Sequence, residues 1–138
     1  MARVDISIVM PAFNEGDALN ETLPELYNYL KSLSSSFEII IGDDGSTDNT
    51  KQIVTAFAKK HKNVRYVGYP VNQGKGHALS MAFETAKGNI HGFIDADLSI
   101  DKTLIGEEIG LLNHADIVIA SKHAHGAKIA YPFARTCA

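Results

Sequence analysis

Phe37-Glu38-Ile39-Ile40-Ile41-Gly42 runs directly into Asp43-Asp44-Gly45-Ser46-Thr47-Asp48. The first half is a β-rich run. Its nearly continuous apolar character fits a strand buried on both faces, as in a parallel sheet covered by helices. The second half combines turn residues with N-cap candidates, Ser46, Thr47 and Asp48. They precede a helical pattern carrying Ile53, Val54, Phe57 and Ala58, closed by Lys59-Lys60-His61-Lys62, whose positive charge suits a helix C-terminus. A buried strand that hands over to a helix through an acidic turn is half of a βαβ unit.

The same alternation extends in both directions. Ile6-Ser7-Ile8-Val9-Met10 predicts a first strand, stopped by Pro11. Leu23, Leu26, Leu30 and Leu33 recur at helical spacing. Proline is tolerated near a helix start, so Pro24 places the regular part of this helix from about Thr22, and Ser34-Ser35-Ser36 ends it. Val64 to Val67 predicts a third strand, Gly76 to Lys87 a helix capped by Gly88-Asn89, and Ile90 to Ile94 a fourth strand. Asp101 can cap a helix bearing Leu104, Ile105, Ile109 and Leu112, and Asp116-Ile117-Val118-Ile119-Ala120 predicts a fifth strand. The expectation is an α/β fold with a mostly parallel sheet and helices on both faces. It occupies residues 1–122, with a short tail at 123–138.

Composition excludes several classes. At 138 residues the chain has room for one domain with a real core. A formal net charge of −3 supplies no basic field for nucleic acid. Cys137 is the only cysteine, so no intrachain disulfide framework exists, which fits a reducing compartment. No apolar run has the length of a transmembrane helix, and the first residues run into a strand rather than a signal peptide. The expected location is cytoplasmic, with any membrane contact peripheral. Gly74-Lys75-Gly76 lacks the spacing and the Ser/Thr of a P-loop, and no G-x-G-x-x-G follows the first strand. His123-Ala124-His125 reads as a solvated tail rather than a zinc site.

Ligands of parallel sheets bind at the carboxyl ends of the strands. Those ends are polar here. Pro11-Ala12-Phe13-Asn14-Glu15-Gly16 follows strand one, Asp43 to Asp48 follows strand two, and Asp95-Ala96-Asp97-Leu98-Ser99 follows strand four. Asn72-Gln73-Gly74-Lys75-Gly76-His77 precedes a helix. Two carboxylates one residue apart are poor core material but good hard oxygen ligands for a divalent cation.

In combination, Pro-x-Phe-Asn-Glu, Asp-Asp-Gly-Ser-x-Asp, Asn-x-Gly-Lys-Gly and Asp-Ala-Asp, in this order from about Asp5 to Lys122, resemble the inverting family 2 glycosyltransferases. These carry a GT-A nucleotide-sugar-binding fold. The likeness is greatest to the branch that moves a hexose from a nucleotide sugar to polyprenyl (dolichyl) phosphate.

The resemblance implies a division of labour. Pro11, Ala12, Phe13 and Glu15 would flank the nucleoside, and Gly42, Asp44 and Gly45 would contact base or ribose. Asp95, Ala96 and Asp97 would line ribose and diphosphate. Mg2+ or Mn2+ would sit between carboxylates and diphosphate, with Asp97 the firmer ligand and Asp95 a ribose or second metal contact. Lys75 would face phosphate. Lys122 stands where the family commonly has Arg, keeping the charge without the bidentate fork. Asp97 and Lys122 would assist catalysis, and Ser99 stands where some relatives have a ligating Gln. The donor would be a UDP- or GDP-hexose and the acceptor a lipid phosphate at a membrane surface.

Residues 126–138 match none of the family's later motifs, so the acceptor segment is expected to be absent or truncated, and self-association to cover an exposed sheet edge. A phosphate monoester is largely dianionic near neutral pH, with a second pKa of about 6, and can attack without a general base. The lipid-phosphate reaction is thus the one most compatible with a short chain. The alternative is a non-catalytic nucleotide-sugar-binding module. A GT-A-like nucleotidyltransferase is disfavoured, because no Gly-rich, Arg-containing loop follows strand one.

Overall fold

A computed structural model describes residues 4–34 and 36–121. They fall into two compact units that divide between Thr103 and Leu104. The first unit holds a sheet of four strands, β1 (Ile6–Ala12), β2 (Phe37–Asp43), β3 (Val64–Gly68) and β4 (Ile90–Phe93), in the order β3-β2-β1-β4. Every neighbouring pair is parallel, with Val9 opposite both Ile40 and Phe93, and Ile40 opposite Arg65. Three helices connect the strands: α1 (Gly16–Leu33), α2 (Thr50–Lys60) and α3 (Lys75–Glu84). Right-handed crossovers place α1 and α2 on one face and return α3 across the other. The α/β fold, its parallel sheet and its two helical layers are as the sequence predicts.

Both central strands, β1 and β2, are buried along their whole length. Strand periodicity sends Val9 and Ile40 to the same face, where they pack with Ala82, Leu79 and Phe83 of α3. Gly42 lies on that face too, and a Cβ there would meet the Ala78 carbonyl oxygen at 2.9 Å. The missing side chain therefore lets α3 lie against the strand. Leu19, Leu23, Leu26 and Leu30 form the buried stripe of α1. Full burial of such a side chain contributes about 1.5–3 kcal/mol.

A polar cluster closes the sheet at the amino ends of the strands. Glu38 accepts from Ser7 Oγ at 2.6 Å, the Lys87 N–H at 2.6 Å and the Arg65 guanidinium at 2.8 and 3.1 Å. Arg65 also donates to the Thr85 carbonyl. Burial pushes the Glu38 carboxyl up, but Ser7, the Lys87 N–H and Arg65 together outweigh it and hold it below its ordinary value.

Several boundaries differ from the sequence reading. Helix α1 begins at Gly16, six residues before Thr22, and Pro24 lies inside it. Its first turn is tied down by Gly16 N–H donating to Asp48 Oδ2 and Leu19 N–H to the Glu15 carbonyl. The bond that Pro24 cannot donate would fall on Asn20, which is exposed and can be hydrated. Leu33, at the end of the predicted stripe, is exposed. Pro11 continues β1 rather than stopping it, because β4 has already ended opposite Val9 and demands no ladder bond there. Asp48 bonds Thr50 and Gly16, while Asn49 occupies the N-cap of α2. Helix α3 stops at Glu84, where Thr85 turns its hydroxyl to the Ala82 carbonyl.

The second unit contains α4 (Leu104–Leu111). The predicted fifth strand, Asp116 to Ala120, is not formed: the segment pairs with no strand among the described residues, and Ile117 and Ile119 are 77% and 79% exposed. No helix among the described residues is long and apolar enough to cross a membrane.

Candidate nucleotide-sugar site

A cleft of about 290 Å3 opens at the carboxyl end of the sheet. Its walls are Pro11 and Ala12 at the end of β1, Phe13 and Glu15 after it, Asp44 after β2, Lys75 and Ala78 on α3, and Asp95, Ala96 and Asp97 after β4. Nine of these ten were candidates from sequence; Ala78 was not. It has no chemistry of its own to mark it, though it lies three residues after Lys75, on the same helix face. Gly42 and Gly45 do not line the cleft, and both are buried. Lys122 lies outside the described residues.

The first two loops are stitched together. Asn14 adopts φ 52°, its N–H donates to Ser46 Oγ, and its Oδ1 accepts from the Thr47 N–H at 2.8 Å. Glu15 N–H donates to Thr50 Oγ1, and Asp44 N–H to the Ala12 carbonyl at 2.8 Å. Asp43 is buried and accepts from Tyr66 O–H at 2.7 Å and the Ser46 N–H at 3.0 Å. Backbone and short polar side chains thus fix Phe13 and Glu15 at the rim, and Phe13 stays 46% exposed, an apolar wall open to a flat ligand.

Asp44 holds the third loop. Its carboxylate accepts from Tyr69 O–H at 2.6 Å, Asn72 Nδ2 at 2.9 Å, the Gln73 N–H at 2.7 Å and the Gly74 N–H at 2.9 Å. Burial pushes this carboxyl up, but the Tyr69 hydroxyl, the Gln73 and Gly74 N–H groups and the charge of His77 hold it below its ordinary value. Burial and the adjacent carboxylate push Tyr69 up to about 12. Gly45, at φ 75°, fits under this loop: a Cβ there would meet the Asn72 nitrogen at 2.6 Å and the Val71 carbonyl carbon at 2.8 Å. Sequence reasoning assigned Asp44 and Gly45 to the ligand. The structure shows them setting the position of the loop that presents Lys75, with Asp44 also forming part of the wall.

The Asp95-Ala96-Asp97 loop is a tight turn. Leu98 N–H donates to the Asp95 carbonyl at 3.0 Å, and Leu98 sits at φ 48°. Thr22 of α1 donates its hydroxyl to the Ala96 carbonyl at 2.6 Å, a support that no local sequence pattern signals. Asp97 accepts from the Ser99 N–H at 2.9 Å, and Asp95 pairs with Lys75 Nζ at 2.5 Å. Burial, then the negative charges of Asp97, Asp48 and Asp95, push the Glu15 carboxyl above its ordinary value. The cleft therefore carries an excess of negative charge. Among the described residues no group of three or more His, Cys, Asp or Glu side chains is placed to enclose a metal.

The family described as glycosyl transferase family 2 matches residues 7–134. The chain belongs to this family. A dolichyl-phosphate β-glucosyltransferase of Trichomonas vaginalis is 41% identical over 101 residues, covering 70% of this chain and 31% of that protein. A dolichol-phosphate mannosyltransferase of Pyrococcus furiosus is 30% identical over 132 residues, covering 94% of this chain and 37% of that protein. Among solved structures, a mannosyltransferase from Pyrobaculum calidifontis in complex with GDP-Man and Mn2+ aligns with a TM-score of 0.66 at 26% identity, covering 81% of this chain and 33% of that one. Glucosyl-3-phosphoglycerate synthase from Mycobacterium tuberculosis, in complex with Mn2+, UDP and glucosyl-3-phosphoglycerate, aligns with a TM-score of 0.61 at 26% identity, covering 82% and 41%. The fold is that of the GT-A glycosyltransferases. This family 2 chain spans 31–41% of the length of these relatives.

Proposed function

We propose that this family 2 chain binds a UDP- or GDP-hexose in the cleft and supports transfer of the hexose, with inversion, to a polyprenyl or dolichyl phosphate at a membrane surface. The observation that carries this reading is the convergence of nine candidate residues from four loops on one cleft. Phe13 and Pro11 offer an apolar wall to the nucleoside, and Glu15 a carboxylate for hydroxyl or N–H donors. Among the described residues that line the cleft, Lys75 is the cation available to the diphosphate. Lys122, as the resemblance implies, would add a second cation.

Asp95 and Asp97 fit a divalent cation, Mg2+ or Mn2+, as two carboxylates in a cleft whose negative charge already disfavours ionisation of Glu15. Two protein carboxylates with the remaining oxygens from substrate phosphate is a common arrangement for Mg2+. When bound, such a cation would neutralise charge gathering on the departing nucleoside diphosphate. The protein's own part is to align the anomeric carbon with the acceptor oxygen, which gives a single displacement and inversion. A phosphate acceptor is already ionised and requires no protein base. The relatives named above are transferases, so the non-catalytic binding module is not the favoured reading.

The test is titration of the full chain with UDP, GDP and their hexose conjugates, with and without Mn2+, followed by transfer to polyprenyl phosphate. Mn2+-enhanced binding of one nucleotide is expected, and Asp97→Ala removes the enhancement. No nucleotide binding with Mn2+ present overturns the donor site. Binding without transfer overturns the catalytic part for this chain.

A further inference from the structure

Among the described residues that line the cleft, Lys75 is the only cation, against four carboxylates, Glu15, Asp44, Asp95 and Asp97. Its charge is already engaged: Nζ sits 2.5 Å from Asp95 Oδ1, and 5.6 Å from the centre of the Phe93 ring. Asp44 and Gly45 hold the loop that precedes it, while the pair itself lies open to solvent, Lys75 54% and Asp95 39% exposed. A long, flexible ammonium at an exposed pair exchanges partners at little cost. Resting on the donor-site reading above, we propose that Lys75 is an exchangeable counter-ion: it occupies Asp95 while the cleft is empty, and moves to a diphosphate oxygen when Asp95 is taken up as a metal ligand.

The exchange balances charge at each stage. Without ligand, Lys75 relieves the repulsion that Asp95 contributes to the rim. With Asp95 and Asp97 holding a divalent cation, Lys75 would no longer be needed as their counter-charge and would be repelled from them. The diphosphate, arriving with negative charge, then offers Lys75 a new partner within the same cleft. Lys75 consequently competes with metal and cooperates with nucleotide. These opposite signs separate an exchanging residue from one that merely lines the wall or merely stabilises the loop.

The test uses the full chain as wild type, Lys75→Gln and Lys75→Arg, with Mn2+ alone followed by electron paramagnetic resonance of the free ion, then UDP and GDP at saturating Mn2+ followed by calorimetry. Because the pair is exposed, Lys75→Gln is expected to bind Mn2+ alone about three- to fivefold more tightly than wild type. The same variant is expected to bind the preferred nucleotide about tenfold more weakly, since it loses a charge-assisted bond to phosphate. Lys75→Arg, which keeps the charge, restores the wild-type order of both constants. No gain in Mn2+ affinity on Lys75→Gln, or loss of both affinities together, overturns the exchange. If wild type shows Mn2+-enhanced nucleotide binding and Lys75→Gln leaves both constants unchanged, the exchange fails while the donor site stands. If wild type shows no such enhancement, both fall.

Discussion

The two ends of this sheet hold two acidic clusters that behave oppositely. At the amino end, Glu38 is met by a hydroxyl, a backbone N–H and a guanidinium, and its carboxyl lies below its ordinary value. At the carboxyl end, Glu15 faces Asp48, Asp95 and Asp97, and its carboxyl lies above its ordinary value. Among the described residues no buried side-chain polar atom lacks a hydrogen-bond partner, so the buried Glu38 cluster satisfies the ordinary rule for buried polar groups. The two clusters differ in charge balance. A cluster whose charges are matched by its own chain needs no ligand; surplus charge in a cleft marks a candidate ligand site.

The largest effect should come from unmatching the balanced end. Arg65→Met removes the guanidinium and leaves Glu38, only 5% exposed, with Ser7 and the Lys87 N–H. The expected loss is about 2–3 kcal/mol of unfolding free energy in urea at neutral pH, below the value for a wholly enclosed pair because Arg65 still reaches solvent. The loss should be pH-dependent. The Glu38 carboxyl is lowered in the folded state, so its contribution is complete above the ordinary value of 4.5 and fades as pH falls through the lower folded value. The gap between wild type and Arg65→Met therefore narrows as pH falls below 4.5. A gap independent of pH would show that Arg65 matters through packing rather than charge, and would break the comparison at its stronger end.

Much of the site is legible in the amino-acid sequence because parallel α/β topology gathers strand ends on one rim. That rule and carboxylate chemistry mark Asp95 and Asp97, while Glu15 and Lys75, the latter at the start of α3, enter through the family resemblance. What is illegible depends on tertiary neighbours. Gly42 is glycine because the Ala78 carbonyl occupies the place of a side chain, and no local pattern reveals a helix crossing there. Pro11 sits in a central strand because β4 is short, a fact about another segment. Asp44 enters as a ligand contact through the family resemblance; its four donors come from residues 69–74, beyond the reach of local reading. The run at 116–120 has strand chemistry without a strand partner among the described residues.

An intermediate effect is expected at Gly45, which links the rim to the fold. Gly45→Ala places a methyl group against the backbone of Val71 and Asn72 at a φ of 75°. Backbone strain and displacement of the loop should together cost about 2 kcal/mol. Nucleotide affinity should fall with it, because the loop carries Lys75. Amide hydrogen exchange checks the assignment: Gln73 and Gly74, whose N–H groups bond Asp44, should lose protection. Unchanged protection there would mean that Asp44, rather than the fit over Gly45, holds the loop.

The smallest change in stability should come from Asp97→Asn, and it sharpens the comparison most. Asparagine retains an oxygen to accept the Ser99 N–H, so the turn survives. The charge it removes is one of those that raise the Glu15 carboxyl, so relief of repulsion offsets any loss. Urea unfolding at low salt should place the variant within about 0.5 kcal/mol of wild type, as for a substitution that breaks no buried partnership. The same variant should lose Mn2+-enhanced nucleotide binding. A carboxylate that can be neutralised at no cost to folding, yet not without cost to binding, is matched by ligand rather than by protein. If Asp97→Asn instead destabilised the chain as much as Arg65→Met, the carboxyl rim would be a second structural cluster, and the distinction between the two ends of the sheet would collapse.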